Sequence, residues 1–181
     1  MTHQKIIVLV GASGSGKTTI GNELAARGIP KLITTTTRAK RAGEVAGVDY
    51  YFSEKAQMNP QDFIEQTCYN GNIYGLTRQE VTTKLAQYDT VHVVLDQNGA
   101  AAIKKVYPDQ ACVFFIQMSP EMMAARLKAR GESADFIEKR RIHSQKTGEL
   151  TPPACTDYVV TNNDLAATVT EIQKLLAQWP H

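Results

Sequence analysis

Gly11-Ala12-Ser13-Gly14-Ser15-Gly16-Lys17-Thr18 fits the spacing G-x-x-x-x-G-K-[ST]. The chemistry served by that spacing is the cradling of phosphate. Glycines let successive backbone N–H groups turn inward around phosphate oxygens, an approach that side chains would obstruct. Lys17 supplies a mobile positive charge for β- and γ-phosphates, and Thr18 a hydroxyl for Mg²⁺. Thr19 follows at the mouth of the same loop. A second constellation, Thr34-Thr35-Thr36-Thr37-Arg38-Ala39-Lys40-Arg41, precedes Gly43-Glu44, Gly47 and Asp49-Tyr50-Tyr51-Phe52. Two arginines beside a run of hydroxyls can grip a phosphate monoester, because guanidinium bonds its oxygens in pairs. The hydroxyls of Tyr50 and Tyr74 can add two further donors. Taken alone, the same cluster also describes a solvated loop.

Such groups must be held by rigid elements. The apolar run Ile6 to Val10 before the glycines reads as a strand, and Thr18 to Ala26 as a helix whose positive N-terminus faces the phosphates. Further apolar runs at Lys31 to Thr34, Val91 to Leu95, Cys112 to Ile116 and Tyr158 to Val160 lack strict alternation, as suits strands covered on both faces. Helices are expected over Gln79 to Gln87, over Ala100 to Val106, from Ser119-Pro120-Glu121 onward, and from about Asp164 to Trp179. The order predicts an α/β fold of the P-loop NTPase kind, a five-stranded parallel sheet flanked by helices. Two segments interrupt it. Residues 35–80 are polar and rich in Thr, Arg, Gly and Tyr, with no clear buried strand, and read as a substrate-binding insertion. Residues 126–150 carry Arg126, Lys128, Arg130, Lys139, Arg140, Arg141 and Lys146, and read as a mobile cationic lid, with a solvated charged helix as the plainer alternative.

A chain of 181 residues with 43% apolar and 21% charged content suits a single domain with one substantial core. A net charge of +2 gives no general attraction for nucleic acid or membrane, so neither is expected as a partner. Cys68, Cys112 and Cys155 are widely spaced, without a paired motif, which points to a reducing cytoplasm rather than a disulfide framework or zinc site. The run at residues 6–10 is too short for a signal-peptide core or a membrane span.

Several stretches together resemble the guanylate kinase family. Thr36-Thr37-Arg38, Arg41-Ala42-Gly43-Glu44, Gly47-Val48-Asp49-Tyr50 and Phe52 look like its signature, and Phe63-Ile64-Glu65, Gly71-Asn72 and Tyr74-Gly75 like its second substrate motif. Leu95-Asp96 with Gly99-Ala100 resembles its acidic strand end. Arg126-Leu127, Arg130-Gly131 and Arg140 are similar to its lid, and Asp157-Tyr158-Val159-Val160 with Asn162 and Asp164-Leu165 to its closing strand and helix. The resemblance runs in register from about residue 5 to residue 176. It implies Mg²⁺-dependent transfer of the ATP γ-phosphoryl group to GMP or dGMP by a monomer or homodimer.

It also implies roles. Gly11, Ala12, Ser13, Gly14, Ser15, Gly16, Lys17, Thr18, Thr19 and Asn162 would bind ATP, with Thr18 on the metal. Arg38, Arg41, Tyr50 and Tyr74 would hold the acceptor's phosphate, while Thr34, Glu65 and Asp96 would meet its base. Lys17, Arg38, Arg130 and Arg140 would carry the catalysis. Two departures touch base recognition: Leu76 stands where the family usually has Ser or Thr, and Val94 replaces the first acidic residue of L-D-x-D. A kinase with another phosphorylated acceptor, such as a different nucleoside monophosphate or a ribose bisphosphate, therefore stays open. So does a phosphopeptide-binding module on the same scaffold, although Gly16, Lys17 and Thr18 are intact.

Overall fold

The structure is a computed structural model that describes residues 4–69, 71–129, 131–146 and 148–179. In chain order its strands are β1 (Lys5–Val10), β2 (Thr35–Thr36), β3 (Tyr51–Phe52), β4 (Phe63–Tyr69), β5 (Asn72–Thr77), β6 (Thr90–Val94), β7 (Ala111–Gln117) and β8 (Tyr158–Thr161). The helices are α1 (Lys17–Ala26), α2 (Arg78–Leu85), α3 (Gln97–Val106), α4 (Pro120–Ala129), α5 (Ala134–Lys146) and α6 (Leu165–Gln178).

The unalternating apolar runs become a parallel sheet in the order β6-β1-β7-β8. Its central strands are buried on both faces. Ile6, Val8 and Val10 point to a core shared with Ala100 and Ile103 of α3, and Ile7 and Leu9 to a second core with Ile20 and Leu24 of α1 and Val169, Ile172 and Leu176 of α6. This is the period-two division of a strand between layers, and it explains why neither face could be polar.

A fifth parallel strand over residues 31–34 is not formed among the described residues; it is reduced to one bridge, Lys31 opposite His92. The chain makes two bonds there, Leu32 N–H to the His92 carbonyl and His92 N–H to the Pro30 carbonyl. On the opposite edge of the chain, away from β6, the Ile33 N–H donates to the Glu80 carboxylate at 2.9 Å. A side-chain acceptor thus serves the edge that no strand covers.

The polar stretch after it holds more order than its sequence suggests. It forms a second sheet, β3-β2-β5-β4, whose longest pairing is the antiparallel β4–β5 hairpin with a register shift between Phe63 and Glu65. No buried strand was expected there, because one face of this sheet looks into a cleft and stays polar. Thr77 caps α2 by accepting from Glu80 N–H, and Asp164 caps α6 by accepting from Ala167 N–H at 2.8 Å. Among the described residues no helix is long and apolar enough to cross a membrane.

Candidate active site

At the C-terminal end of β1 the chain must turn sharply into α1. Gly11 has φ +152°, and a Cβ there would sit 2.5 Å from the Ile116 carbonyl oxygen. Gly16, the N-cap of α1, has φ +94°, and a Cβ there would collide with the Asn162 amide. Both positions require glycine for the backbone to close around an anion. Asn162 is buried and donates to the Ser15 carbonyl at 2.8 Å, while its own carbonyl oxygens accept from Thr168 and Arg126. It thus braces the loop from the β8 side instead of lining the cleft. Lys17 folds back over the loop, with Nζ 2.6 Å from the Gly11 carbonyl and 2.8 Å from that of Ala12. Thr18 and Thr19 are exposed in the first turn of α1.

Facing this loop is a cavity of about 530 Å³. Its walls bring Gly11, Ser13 and Lys17 together with Thr34, Arg38, Arg41, Tyr50, Glu65, Tyr74 and Asp96. Parallel-sheet architecture puts such a crevice at the carboxyl ends of the strands. On the second sheet, the Arg38 guanidinium lies 5.4 Å from the Tyr50 ring centre and 5.9 Å from that of Phe52, and the Tyr50 and Tyr74 rings meet edge-on at 6.0 Å. Glu44 accepts from Arg38 at 2.6 Å and from the Arg41 N–H at 2.8 Å. That bond holds Arg38 above the ordinary guanidinium range, and Arg38 in turn holds Glu44 below the ordinary carboxylate range. Burial, with Tyr74 beside it, raises the Tyr50 hydroxyl, which stays a neutral donor.

The opposite end of the cavity is acidic. Glu65 leaves β4 beside Thr67 and Asp96, and burial first, then the neighbouring Asp96, pushes its carboxyl up to about 7. Asp96 caps α3, accepting from Gly99 N–H at 2.7 Å. Leu76, opposite Glu65 on β5, is fully buried in the core and does not line the cavity. A smaller cavity of about 170 Å³, lined by Ala12, Ser15, Gln117, Met118, Met123 and Leu150, adjoins the loop. Arg130 lies outside the described residues, and so does the side chain of Arg140, whose backbone belongs to α5.

Several residues at the site carried no legible signal beforehand. Lys31 reaches the Asp49 carbonyl at 3.1 Å and stands 5.5 Å from the Tyr50 ring centre, its ammonium lowered by burial; it props the tyrosine from the strand side. Glu80 is buried between Ile33 and the Tyr51 hydroxyl. Thr67 of β4 donates to Asp96, the N-cap of α3, at 2.9 Å. Each of these residues, like Glu44 and Arg126, lay in a stretch the sequence marked out, and none announced its partner.

The guanylate kinase family model matches residues 3–179. The chain is 36% identical over 178 residues to the guanylate kinase of Symbiobacterium thermophilum, covering 94% of this chain and 83% of that one. It is 35% identical over 180 residues to the guanylate kinase of Synechocystis, covering 96% and 94%. Its fold is similar to the crystal structure of guanylate kinase from Anaplasma phagocytophilum, with a TM-score of 0.74 at 26% identity over 98% of this chain and 87% of the other. A likeness of fold alone extends to shikimate kinase from Bacteroides thetaiotaomicron, with a TM-score of 0.53 at 15% identity over 96% of this chain and 98% of the other. With a family match from end to end, relatives alike over nearly their whole length, and a phosphate loop facing an arginine-tyrosine wall, the chain belongs to the guanylate kinase family.

Proposed function

We infer that the protein transfers the γ-phosphoryl group of ATP to GMP or dGMP, giving ADP and the nucleoside diphosphate. An oxygen of the acceptor's phosphate attacks the γ-phosphorus, and the bond from that phosphorus to the β–γ bridging oxygen breaks. The nucleophile is already an oxyanion, so positioning and charge neutralisation carry the step and no strong base is needed. The carrying observation is the single cavity that joins Lys17 and the glycine loop to Arg38, Arg41, Tyr50 and Tyr74 at one wall and Glu65 at another.

The loop residues Gly11 to Thr19 receive the ATP phosphates, and Lys17 exchanges the Gly11 and Ala12 carbonyls for the β- and γ-oxygens. Arg38, Arg41, Tyr50 and Tyr74 hold the acceptor's phosphate, and Thr34, Glu65 and Asp96 meet the base. An ionised Glu65 accepts guanine's N1–H and an exocyclic N–H, a donor pair that adenine lacks. The segment 35–80 is the acceptor-binding insertion, and 126–150 is the lid that brings Arg130 and Arg140 over the phosphates. Thr18, exposed in the first turn of α1, would help hold Mg²⁺, which would supply charge neutralisation for the transferring phosphates and suits a site that leaves it most ligands as water and phosphate.

Leu76, with no polar side-chain atom to offer the base, favours a second reading in which the acceptor is another phosphorylated compound. ADP release measured across GMP, dGMP, AMP, UMP and ribose 1,5-bisphosphate separates the two. GMP and dGMP are expected to lead, and equal rates with AMP or UMP would overturn the guanine assignment.

A further inference from the structure

The edge of guanine read by a carboxylate carries an N1–H and an exocyclic amine with two N–H bonds. Glu65, lying in the ring plane, can take N1–H and the nearer amine hydrogen. The farther amine hydrogen points past the carboxylate, and burying it unpaired costs affinity. Some group beside Glu65 must accept it.

Thr67 is two residues beyond Glu65 on β4, so both side chains leave the same face of the strand, and both line the cavity. Its Oγ1 is 2.9 Å from Asp96 Oδ2 and 3.4 Å from Glu65 Oε2. A hydroxyl has one proton to give, and the shorter contact takes it. Asp96 is itself fixed, because its Oδ1 accepts from Gly99 N–H at 2.7 Å. The Thr67 hydroxyl is therefore oriented with its proton on Asp96 and its lone pairs free for a donor alongside Glu65. The β5 side offers nothing equivalent: Leu76, paired opposite Glu65, is apolar and fully buried. Val94 and Leu95, at the end of β6, line the cavity nearby, and both oxygens of Asp96 already accept, from Gly99 N–H and the Thr67 hydroxyl.

We propose that Thr67 is a specificity-determining residue of the acceptor site, its hydroxyl oriented by Asp96 to accept the second N–H of the 2-amino group. This rests on the GMP reading above and deepens it, since it assigns discrimination between 2-aminopurine and 2-unsubstituted purine nucleotides to one side chain. IMP presents the same six-membered ring without that amine and cannot use the contact.

The test compares kcat/KM for GMP and IMP in the wild type, Thr67→Val and Thr67→Ser, with KM for ATP as control. Valine matches threonine in shape and suits a strand, and Thr67→Ala removes the same hydroxyl with a smaller side chain should valine not fold. Thr67→Val is expected to lower kcat/KM for GMP about 10-fold, mainly through KM, leaving IMP and the KM for ATP within about twofold. Thr67→Ser, which keeps the hydroxyl, is expected to stay within about threefold of the wild type for GMP. Equal losses for GMP and IMP in Thr67→Val and Thr67→Ala, or no loss for either, overturn the proposal. A wild type that uses neither GMP nor IMP sinks the acceptor reading itself and the proposal with it, a result distinct from a guanine-preferring wild type whose preference survives loss of the hydroxyl.

Discussion

Lys17 and Glu65 are the two side chains whose chemistry is most exposed to measurement. Lys17 rests on its own loop's carbonyls, so its removal leaves the hydrophobic layers untouched while deleting the cation proposed to meet the β- and γ-phosphates. Lys17→Met is expected to lower kcat by about 10²- to 10³-fold or more, with an unchanged far-ultraviolet spectrum. Near-normal ADP release would refute its role. Glu65 is raised to about 7 because burial and the adjacent Asp96 disfavour its charge, whereas the proposed contact with guanine needs the ionised form. GMP affinity measured by calorimetry is therefore expected to weaken from pH 8 to pH 6, with a steeper slope than in Glu65→Gln, where the ligand's phosphate is what still titrates. The sign for stability is the opposite one. A carboxyl whose folded value lies above its unfolded value binds more protons when folded, so its contribution is present in acid and lost as pH rises from the ordinary carboxylate range through about 7. Glu65→Gln should accordingly raise the melting temperature at pH 8 relative to the wild type, and by less at pH 5. An equal shift at both values would show that the carboxylate is not strained by its surroundings.

Among the elements, the join between the sheets matters most for the site. The Ile33 N–H, on the chain edge away from β6, donates to Glu80 of α2, which also accepts from the Tyr51 hydroxyl at 3.2 Å. One buried carboxylate thus ties residue 33 and β3 to α2, next to Tyr50 in the chain. Glu80→Ala leaves a buried N–H unpaired and is expected to cost about 1 to 3 kcal/mol in urea unfolding, with a raised KM for GMP. A fully stable variant would mean that water or a neighbour satisfies Ile33. Glu80→Gln retains an acceptor and should fall between the two. Lys31 and Arg38 act on the same tyrosine from different elements, so the phosphate wall is built by packing across three segments rather than by one contiguous motif.

For the molecule as a whole, the cavity lies between a rigid parallel sheet and a smaller polar one, and its ligands should stabilise the pair by binding the folded chain alone. GMP at about 100 times its Kd is expected to add about 2.7 kcal/mol, a rise of roughly 5 to 10 °C in melting temperature for a chain of this size. The Thr67→Val variant should show less of this rise at the same GMP concentration, and a protein whose Tm ignores GMP would contradict an acceptor site in the cleft. The phosphate loop, the parallel strands and most helices were legible in the residue order, because burial on both faces, glycine spacing and capping residues are local consequences of composition and period. Arg38, Arg41, Tyr50 and Tyr74 could be named in advance for the same reason: their chemistry is carried by residue type. The second sheet was not legible, since strands with one polar face around a cleft lose the apolar signal that marks a strand. Nor were the partners of Glu44, Lys31, Thr67 and Glu80, each of which is chosen by a residue from another segment. What the amino-acid order determined by itself was which groups could bind phosphate and which runs must be buried. Tertiary structure alone decided that β4 and the N-terminus of α3 would meet so that Thr67 reaches Asp96, because the distance between two side chains far apart in sequence is set by how whole layers pack.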